Sequence, residues 1–270
     1  MSRSIPVFVG ITSLLWCCAG VLGACPPKTG IDTKTVTATR ILFVGNSYTA
    51  GRGGMGDLVQ RMAAEHGIDV EVEQVTGGGY TLYDHWLNSL GTRDRIAAGN
   101  WDWVVLQEQS QTPFLATDFF FTHARLLDEE IRAVGARTMF FLTWAREWAP
   151  ETQIELDDAY CSIASELGAA VATVGMAWAS AREQDTDIAL HGGDGSHQGP
   201  LGQYLAGLIF HRELWGASLS GLSHDVSPHL SVSAADAAFL QQVASTSGRC
   251  ETLFDNGFES GNLDLWHVSP

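Results

Sequence analysis

The chain has 270 residues, 45% hydrophobic and only 17% charged, enough apolar surface for one large packed domain or two small ones, which excludes a disordered polymer. Fifteen Lys and Arg face 31 Asp and Glu, and the resulting formal charge of −16 repels nucleic-acid backbones and anionic lipid surfaces. Beyond the N-terminal segment no apolar run approaches the roughly 20 residues that a membrane-spanning helix needs, so a soluble or merely anchored protein is expected.

Arg3 precedes an apolar run from Val7 to Leu22 that ends in Gly23-Ala24, the charge, hydrophobic stretch and small exit residues of a secretory signal over residues 1–24. Leu22-Gly23-Ala24-Cys25 also resembles a bacterial lipobox, in which Cys25 becomes the lipidated first residue; ordinary cleavage near Ala24 is the alternative. Either way a bacterial, exported protein is expected, with lipidation at Cys25 as its one expected membrane attachment. Export implies a compartment in which disulfides persist. Cys17 and Cys18 leave with the signal, so Cys25, Cys161 and Cys250 remain. Counting allows a Cys161–Cys250 bridge beside a lipidated Cys25, and equally a Cys25–Cys250 bridge beside a buried free Cys161. No Cys-x-x-Cys or His/Cys cluster points to zinc. Residues 25–39, rich in Pro, Thr and Lys without an apolar period, read as a linker, and the main domain reads as 40–247.

Within that domain, short β-rich runs alternate with longer helical patterns. The runs are Ile41 to Val44, Asp69 to Val75, Trp103 to Leu106, Thr138 to Leu142 and Ala170 to Val174. Leu58, Val59, Met62 and Ala63 recur at helical spacing, as do Phe119, Ala124, Leu127 and Ile131. Helices are also expected from Gly199 to Trp215 and from Ala234 to Ser245. Five strands separated by helical segments form βαβ units, and hence an α/β fold on a five-stranded parallel sheet.

Open parallel sheets build their sites at the carboxyl ends of the strands, so the residues after each strand belong together. These are Gly45-Asn46-Ser47-Tyr48-Thr49, Gly77-Gly78-Gly79-Tyr80-Thr81, Gln107-Glu108-Gln109-Ser110 and Thr143-Trp144-Ala145-Arg146-Glu147-Trp148, joined late in the chain by Asp194-Gly195-Ser196-His197. A serine hydroxyl becomes nucleophilic when an imidazole takes its proton and a carboxylate orients that imidazole. Ser47, His197 and Asp194 supply those parts, Ser47 in a strand-to-helix turn. Read alone, Gly-Asn-Ser is better taken as a strand-ending turn with a helix cap; it gains meaning from Asp194 and His197 in the same chain order. Oxyanion donors are available from backbone N–H groups, including those of Ser47 and Gly79, and from the side-chain amide of Gln107 or Gln109.

Five aromatic or polar residues besides Asn46 are candidates for contacting substrate. Trp144, Arg146 and Trp148 share the loop after the fourth strand and could line a mouth, against simple loop packing. Tyr80 and His85 follow the glycine turn. Trp86 is better read as packing, His211 as structural, and Glu108 as either a surface carboxylate or a bond across the site.

These residues resemble the SGNH, or GDSL-like, hydrolase superfamily from about Arg40 to Gly216. Phe43 to Thr49 is similar to the first block with its nucleophilic serine, Asn46 replacing the more usual Asp; Gly79-Tyr80-Thr81 resembles the second; Asp194-Gly195-Ser196-His197 resembles the Asp-x-x-His block. The third block departs from Gly-x-Asn-Asp. Direct register puts Gln109 on the family's Asn, whereas Leu-Gln-x-x-Ser variants of divergent branches, which the stretch Gly78 to Trp86 also resembles, favour Gln107. The resemblance implies a flavodoxin-like three-layer α/β/α sandwich that hydrolyses carboxylic esters through an acyl-enzyme on Ser47, with no metal or organic cofactor. Export, negative charge and nine tryptophans favour a carbohydrate O-acetylesterase acting on a small-molecule or carbohydrate ester. Rival readings are a short-chain lipase or general esterase, and an exported carbohydrate-binding protein without turnover. The tail 248–270, with Gly257-Phe258-Glu259-Ser260-Gly261 and then Trp266, resembles a segment that recurs at the C-termini of exported bacterial proteins.

Overall fold

The structure, a computed structural model, describes residues 38–227 and 230–250. The signal, Cys25, nearly all of the linker and the Gly-Phe-Glu-Ser-Gly motif lie outside those residues. The elements in chain order are β1 (Thr39–Gly45), α1 (Ser47–Ala50), α2 (Met55–Glu65), β2 (Val70–Thr76), α3 (Leu82–Trp86), α4 (Thr92–Ala98), β3 (Trp103–Leu106), α5 (Thr112–Leu115), α6 (Thr117–Ala133), β4 (Arg137–Phe141), α7 (Gln153–Leu167), β5 (Ala170–Ala172), α8 (Val174–Gln184), α9 (Pro200–Trp215), β6 (Asp225–Ser227), β7 (Leu230–Ser231) and α10 (Ala234–Thr246).

The five main strands are all parallel, in the order β2-β1-β3-β4-β5. Side chains alternate across a strand, so an uninterrupted apolar run fills two cores at once. Ile41, Phe43, Val105, Met139 and Phe141 enter one core with α2, α8, α9 and α10. Leu42, Val44, Val104, Leu106 and Phe140 enter the other with α3, α4, α6 and α7. This is the expected three-layer α/β/α sandwich of flavodoxin type. Its strand order reverses direction between β1 and β3, and the crevice at such a switch point lies at the carboxyl ends of those two strands.

Several details differ from the sequence reading. The fifth strand ends at Ala172, and Val174 opens α8. On α6 the core residue is Phe120 rather than Phe119, which is partly exposed against Tyr83 and His123. Thr39, placed in the linker, begins β1. Helix α9 is buried nearly all round because α2, α8 and α10 surround it, which accounts for its lack of a polar face. His211, read as structural, lies buried there and hydrogen-bonds His66 at 2.9 Å.

Residues 248–250, assigned to the tail, belong to the packed body. Gly248 O accepts from Thr173 Oγ1 at 3.0 Å, and Cys250 is bonded to Cys161 on α7. Of the two pairings allowed by counting, Cys161–Cys250 is the one present, closing a sequence separation of 89 residues. A cross-link of that span restricts the unfolded chain by about 2–4 kcal/mol. Replacing both cysteines by serine is expected to lower unfolding free energy by about that amount, read as a lower urea midpoint. Reductant should then lower the midpoint of the unsubstituted chain but not that of the variant.

Candidate active site

At the end of β1 the backbone turns sharply into α1, and Ser47 is the first residue of that helix. Asn46 caps it: its Oδ1 accepts from Tyr48 N at 3.0 Å, and its Nδ2 donates to Tyr80 O at 2.9 Å. Beneath the turn, Gln107 Oε1 accepts from Asn46 N and from Thr49 Oγ1, both at 2.9 Å. Gly45 is required here, because a Cβ at that position would lie 2.4 Å from Thr49 Oγ1 and 2.5 Å from Gln107 Oε1. His85 Nε2 donates to Gly45 O at 2.9 Å, which leaves Nδ1 to accept from the Thr92 hydroxyl at 2.7 Å. Burial pulls the ring's pKa below the usual histidine value, which favours this neutral tautomer.

Facing Ser47 is the loop 191–198, pinched at its base by a bridge between His191 and Gln198. Gly192 N donates to His197 O at 2.7 Å. Asp194 Oδ1 accepts from the backbone N–H groups of Ser196 and His197 at 3.0 and 2.9 Å, an Asx turn that brings carboxylate and imidazole to one side. The neighbouring loops hold this turn by its carbonyls: Trp144 Nε1 donates to Ser196 O and Glu147 N to Gly195 O, each at 2.9 Å. Tyr48 adds a hydroxyl bond to Ser196 Oγ at 2.7 Å, and Gln198 Nε2 donates to Tyr48 O at 2.8 Å.

His197 Nε2 consequently lies 2.8 Å from Ser47 Oγ, and His197 Nδ1 lies 2.5 Å from Asp194 Oδ2. With Nδ1–H given to the carboxylate, Nε2 is the acceptor for the Ser47 hydroxyl. Hydrogen bonds from His197 and from the two backbone N–H groups hold the Asp194 carboxyl well below the usual carboxylate range. The Asp194 and His197 side chains are about half exposed, and the cleft beside them is bounded by Gly51, Arg52, Gly192, Gly193 and Gln198.

The fold that carries these residues is matched in solved structures. A protein from Slackia heliotrinireducens assigned to the SGNH hydrolases superposes with a TM-score of 0.56 at 25% identity, covering 66% of this chain and all of its own. The fold is that of the SGNH hydrolases. A DUF4886 family protein from Bacteroides uniformis matches at TM-score 0.65 and 18% identity over 77% of this chain and 93% of that one. An acetylxylan esterase from Geobacillus stearothermophilus matches at 0.54 and 18% over 66% and 96%. No family model matches the chain, and a search of curated proteins finds no match. The first of these neighbours supports a hydrolase in general terms.

Within this SGNH fold four expectations need correction. Gln107, favoured as an oxyanion donor, is fully buried; its carbonyl oxygen is used on the Ser47 turn, and its Nε2 donates to Glu108 O. It is a strut under the nucleophile loop. Gln109 is half-buried; its Oε1 accepts from Gln111 N and Thr112 N, while its Nε2 has no acceptor among the described residues. His85 and Asn46 are both buried in the same scaffold and do not line a cleft. Trp144 is 1% exposed, stacked between Tyr48 and Trp178 at ring distances of 4.7 and 4.0 Å.

The remaining candidates stay near the surface. Trp148 is 61% exposed and lies against Gly195. The Arg146 guanidinium sits 5.6 Å from the Trp148 ring, with Nη2 3.4 Å from Ser110 Oγ. Tyr80 is half-buried, edge-on to His85. Gly79 adopts φ +72°, a conformation that suits glycine, and its N–H has no acceptor among the described residues. The Ser47 N–H, in the first turn of α1, is likewise free of an intrahelical acceptor. Trp86 packs under the Arg93 guanidinium at 4.1 Å, as its packing reading requires. What sequence reading missed is the set of groups that hold the loops: Tyr48, Thr92, Ser196 and Gln198 carry no motif of their own.

Exchanging the roles of the two glutamines has a measurable consequence. Gln107→Ala removes a buried acceptor from two donors and is expected to cost about 2–4 kcal/mol of unfolding free energy. Gln109→Ala removes an acceptor from a half-buried turn whose donors water can reach and should cost less, about 0.5–1 kcal/mol. Urea denaturation of both variants checks the contrast.

Proposed function

We propose that the protein is a serine esterase that hydrolyses carboxylic esters through an acyl-enzyme, and that its substrates are O-acetylated carbohydrates met outside the cell. The observation that carries this reading is the unbroken chain from Ser47 Oγ to His197 at 2.8 Å and on to Asp194 at 2.5 Å. Ser47 Oγ attacks the ester carbonyl as its proton passes to His197 Nε2. The tetrahedral oxyanion is received by the N–H groups of Ser47 and Gly79 and the Gln109 amide. Collapse expels the alcohol, which takes the proton from His197. Water then gives a proton to His197 and attacks the acyl-serine, and the acid leaves as Ser47 recovers its proton.

Support for an acetyl group comes from the shape of the cleft, whose boundary is formed by glycine backbone, Arg52 and Gln198 rather than by an apolar trough for a long chain. Support for a sugar comes from Trp148, whose exposed indole stands next to the Asp194–His197 turn and offers a flat face to a pyranose ring. Acetylxylan esterases among the structural neighbours agree with this assignment. Export follows from the N-terminal signal pattern and fits the disulfide.

Ser47→Ala is expected to lower kcat on an acetyl ester by about four to six orders of magnitude without loss of fold, and Asp194→Asn by about four. Initial rates and circular dichroism on the purified variants provide the check, and near-normal turnover of Ser47→Ala would remove the assigned nucleophile. On a panel of acetylated oligosaccharides and aryl esters of rising chain length, acetyl sugars should give the highest kcat/KM. Trp148→Ala should raise KM for the sugars about tenfold, as for loss of a stacked aromatic contact of about 1.4 kcal/mol, and leave aryl acetates unaffected. A maximum at butyl or longer chains would indicate a general esterase, and failure of Ser47 to react with a fluorophosphonate would indicate a binding protein.

A further inference from the structure

Glu108 is a carboxylate with no exposed surface, two residues past the end of β3, and no catalytic step uses it. Among the described residues it has no cation partner. Such a group is costly to bury unless its oxygens are satisfied by hydrogen bonds. Both are: Oε2 accepts from Leu82 N at 3.1 Å and Oε1 from Gln109 N at 2.6 Å. The Glu108 backbone N–H donates to the Tyr160 hydroxyl at 3.2 Å, which fixes the residue from α7.

The two N–H groups belong to different loops. Leu82 is the first residue of α3, whose cap Thr81 closes the turn that contains Gly79. Gln109 begins the segment after β3 and offers its free amide there. One carboxylate therefore spans the two loops that hold two of the three proposed oxyanion donors. Oxyanion stabilisation depends on donors held within a few tenths of an ångström, so the separation of these loops governs the chemical step more than substrate binding.

We infer that Glu108 is a positioning residue: its ionised side chain latches the Gly79 turn to the Gln109 loop and so sets the geometry of the oxyanion site. This rests on the esterase reading given under Proposed function. Protonation would remove the charge that strengthens both bonds and convert one acceptor oxygen into a hydroxyl. Burial, the largest influence, raises the Glu108 pKa to about 7, and Asp84 on α3 pushes in the same direction; the Leu82 and Gln109 N–H groups and the Thr112 hydroxyl on α5 oppose it. On α7, the Tyr160 phenol is itself raised above its usual value by burial, so it stays protonated throughout. The latch is thus closed above neutral pH and loosens below it.

The test is steady-state hydrolysis of an acetyl ester from pH 5 to 9 by the full chain and by Glu108→Gln, with fluorophosphonate labelling and thermal unfolding of both. The latch predicts a kcat lower by about 10- to 100-fold at pH 8 with KM within threefold, less than the roughly 100- to 1,000-fold that outright removal of an oxyanion donor costs, because the donors are displaced and not deleted. Ser47 should still be labelled in the variant. It also predicts that the acid limb of log kcat/KM in the unsubstituted protein is steeper than one proton requires, and that Glu108→Gln reduces it to a one-proton limb. A variant with kcat within threefold of the parent, or a one-proton limb already present in the parent, overturns the latch. Should Glu108→Gln not fold, the limb of the parent protein alone decides. A parent that neither turns over nor labels overturns the esterase reading and the latch with it, whereas an active parent with an indifferent variant overturns the latch alone.

Discussion

A hydroxyl at the end of the first strand meets an imidazole 150 residues later at 2.8 Å, and most of the polar structure at the carboxyl end of the sheet serves that meeting. Each partner is short and sits on a loop, so neither position follows from a core. On one side, Gln107, His85 and Asn46 fill the space under Gly45 and leave the turn one way to run. On the other, Trp144, Glu147 and Tyr48 hold the 194–197 turn through Ser196 and Gly195. The stack Tyr48–Trp144–Trp178 links the two sides, since Tyr48 follows Ser47 directly in sequence.

The order of layers was legible because the chemistry of burial is periodic. Runs such as Ile41 to Val44 have no polar face, which only a strand covered on both sides tolerates, and the alternation of Phe43 with Leu42 and Val44 between two cores follows from the pleat. The proximity of Ser47, Asp194 and His197 is legible for a different reason: two short blocks, one after the first strand and one late in the chain, resemble a known pattern, and the structure joins them by hydrogen bonds. The errors are of one kind. Asn46 and Gln107 follow their strands directly, Trp144 is three residues past β4 and His85 lies on the short α3, all places where a side chain can point up into a cleft or down into the scaffold. Residue type does not decide that direction. It is decided by partners far along the chain, such as Gly45 for His85 and Ser196 for Trp144.

Short elements escaped for a related reason. Helices α1, α3 and α5 span four or five residues, too few for an apolar period to declare itself, and they exist because local caps and long-range bonds hold them. Thr81 with Asp84 forms a reciprocal capping box at α3, which a sequence pattern could have revealed. The buried Gln107 bonds under α1 have no such pattern.

Exposure of the triad places a further demand on this scaffold. With the Asp194 and His197 side chains 53% and 46% accessible, water screens their attraction, and an isolated exposed pair of this kind contributes about 0–1 kcal/mol. That is too little to organise a loop. The order must come from bonds the loop makes through its backbone: the Gly192–His197 and Glu147–Gly195 contacts, the Trp144 indole on Ser196 O, and the Asx turn at Asp194. Charge then refines a geometry that uncharged groups have already imposed. The same division applies below the cleft, where Glu108, the one carboxylate without exposed surface among the described residues, accepts from backbone donors instead of a cation. A protein of strongly negative net charge can in this way keep carboxylates close to its reacting centre without enlisting arginines to neutralise them, which leaves Arg52 and Arg146 unpaired by any carboxylate among the described residues at the edges of the cleft.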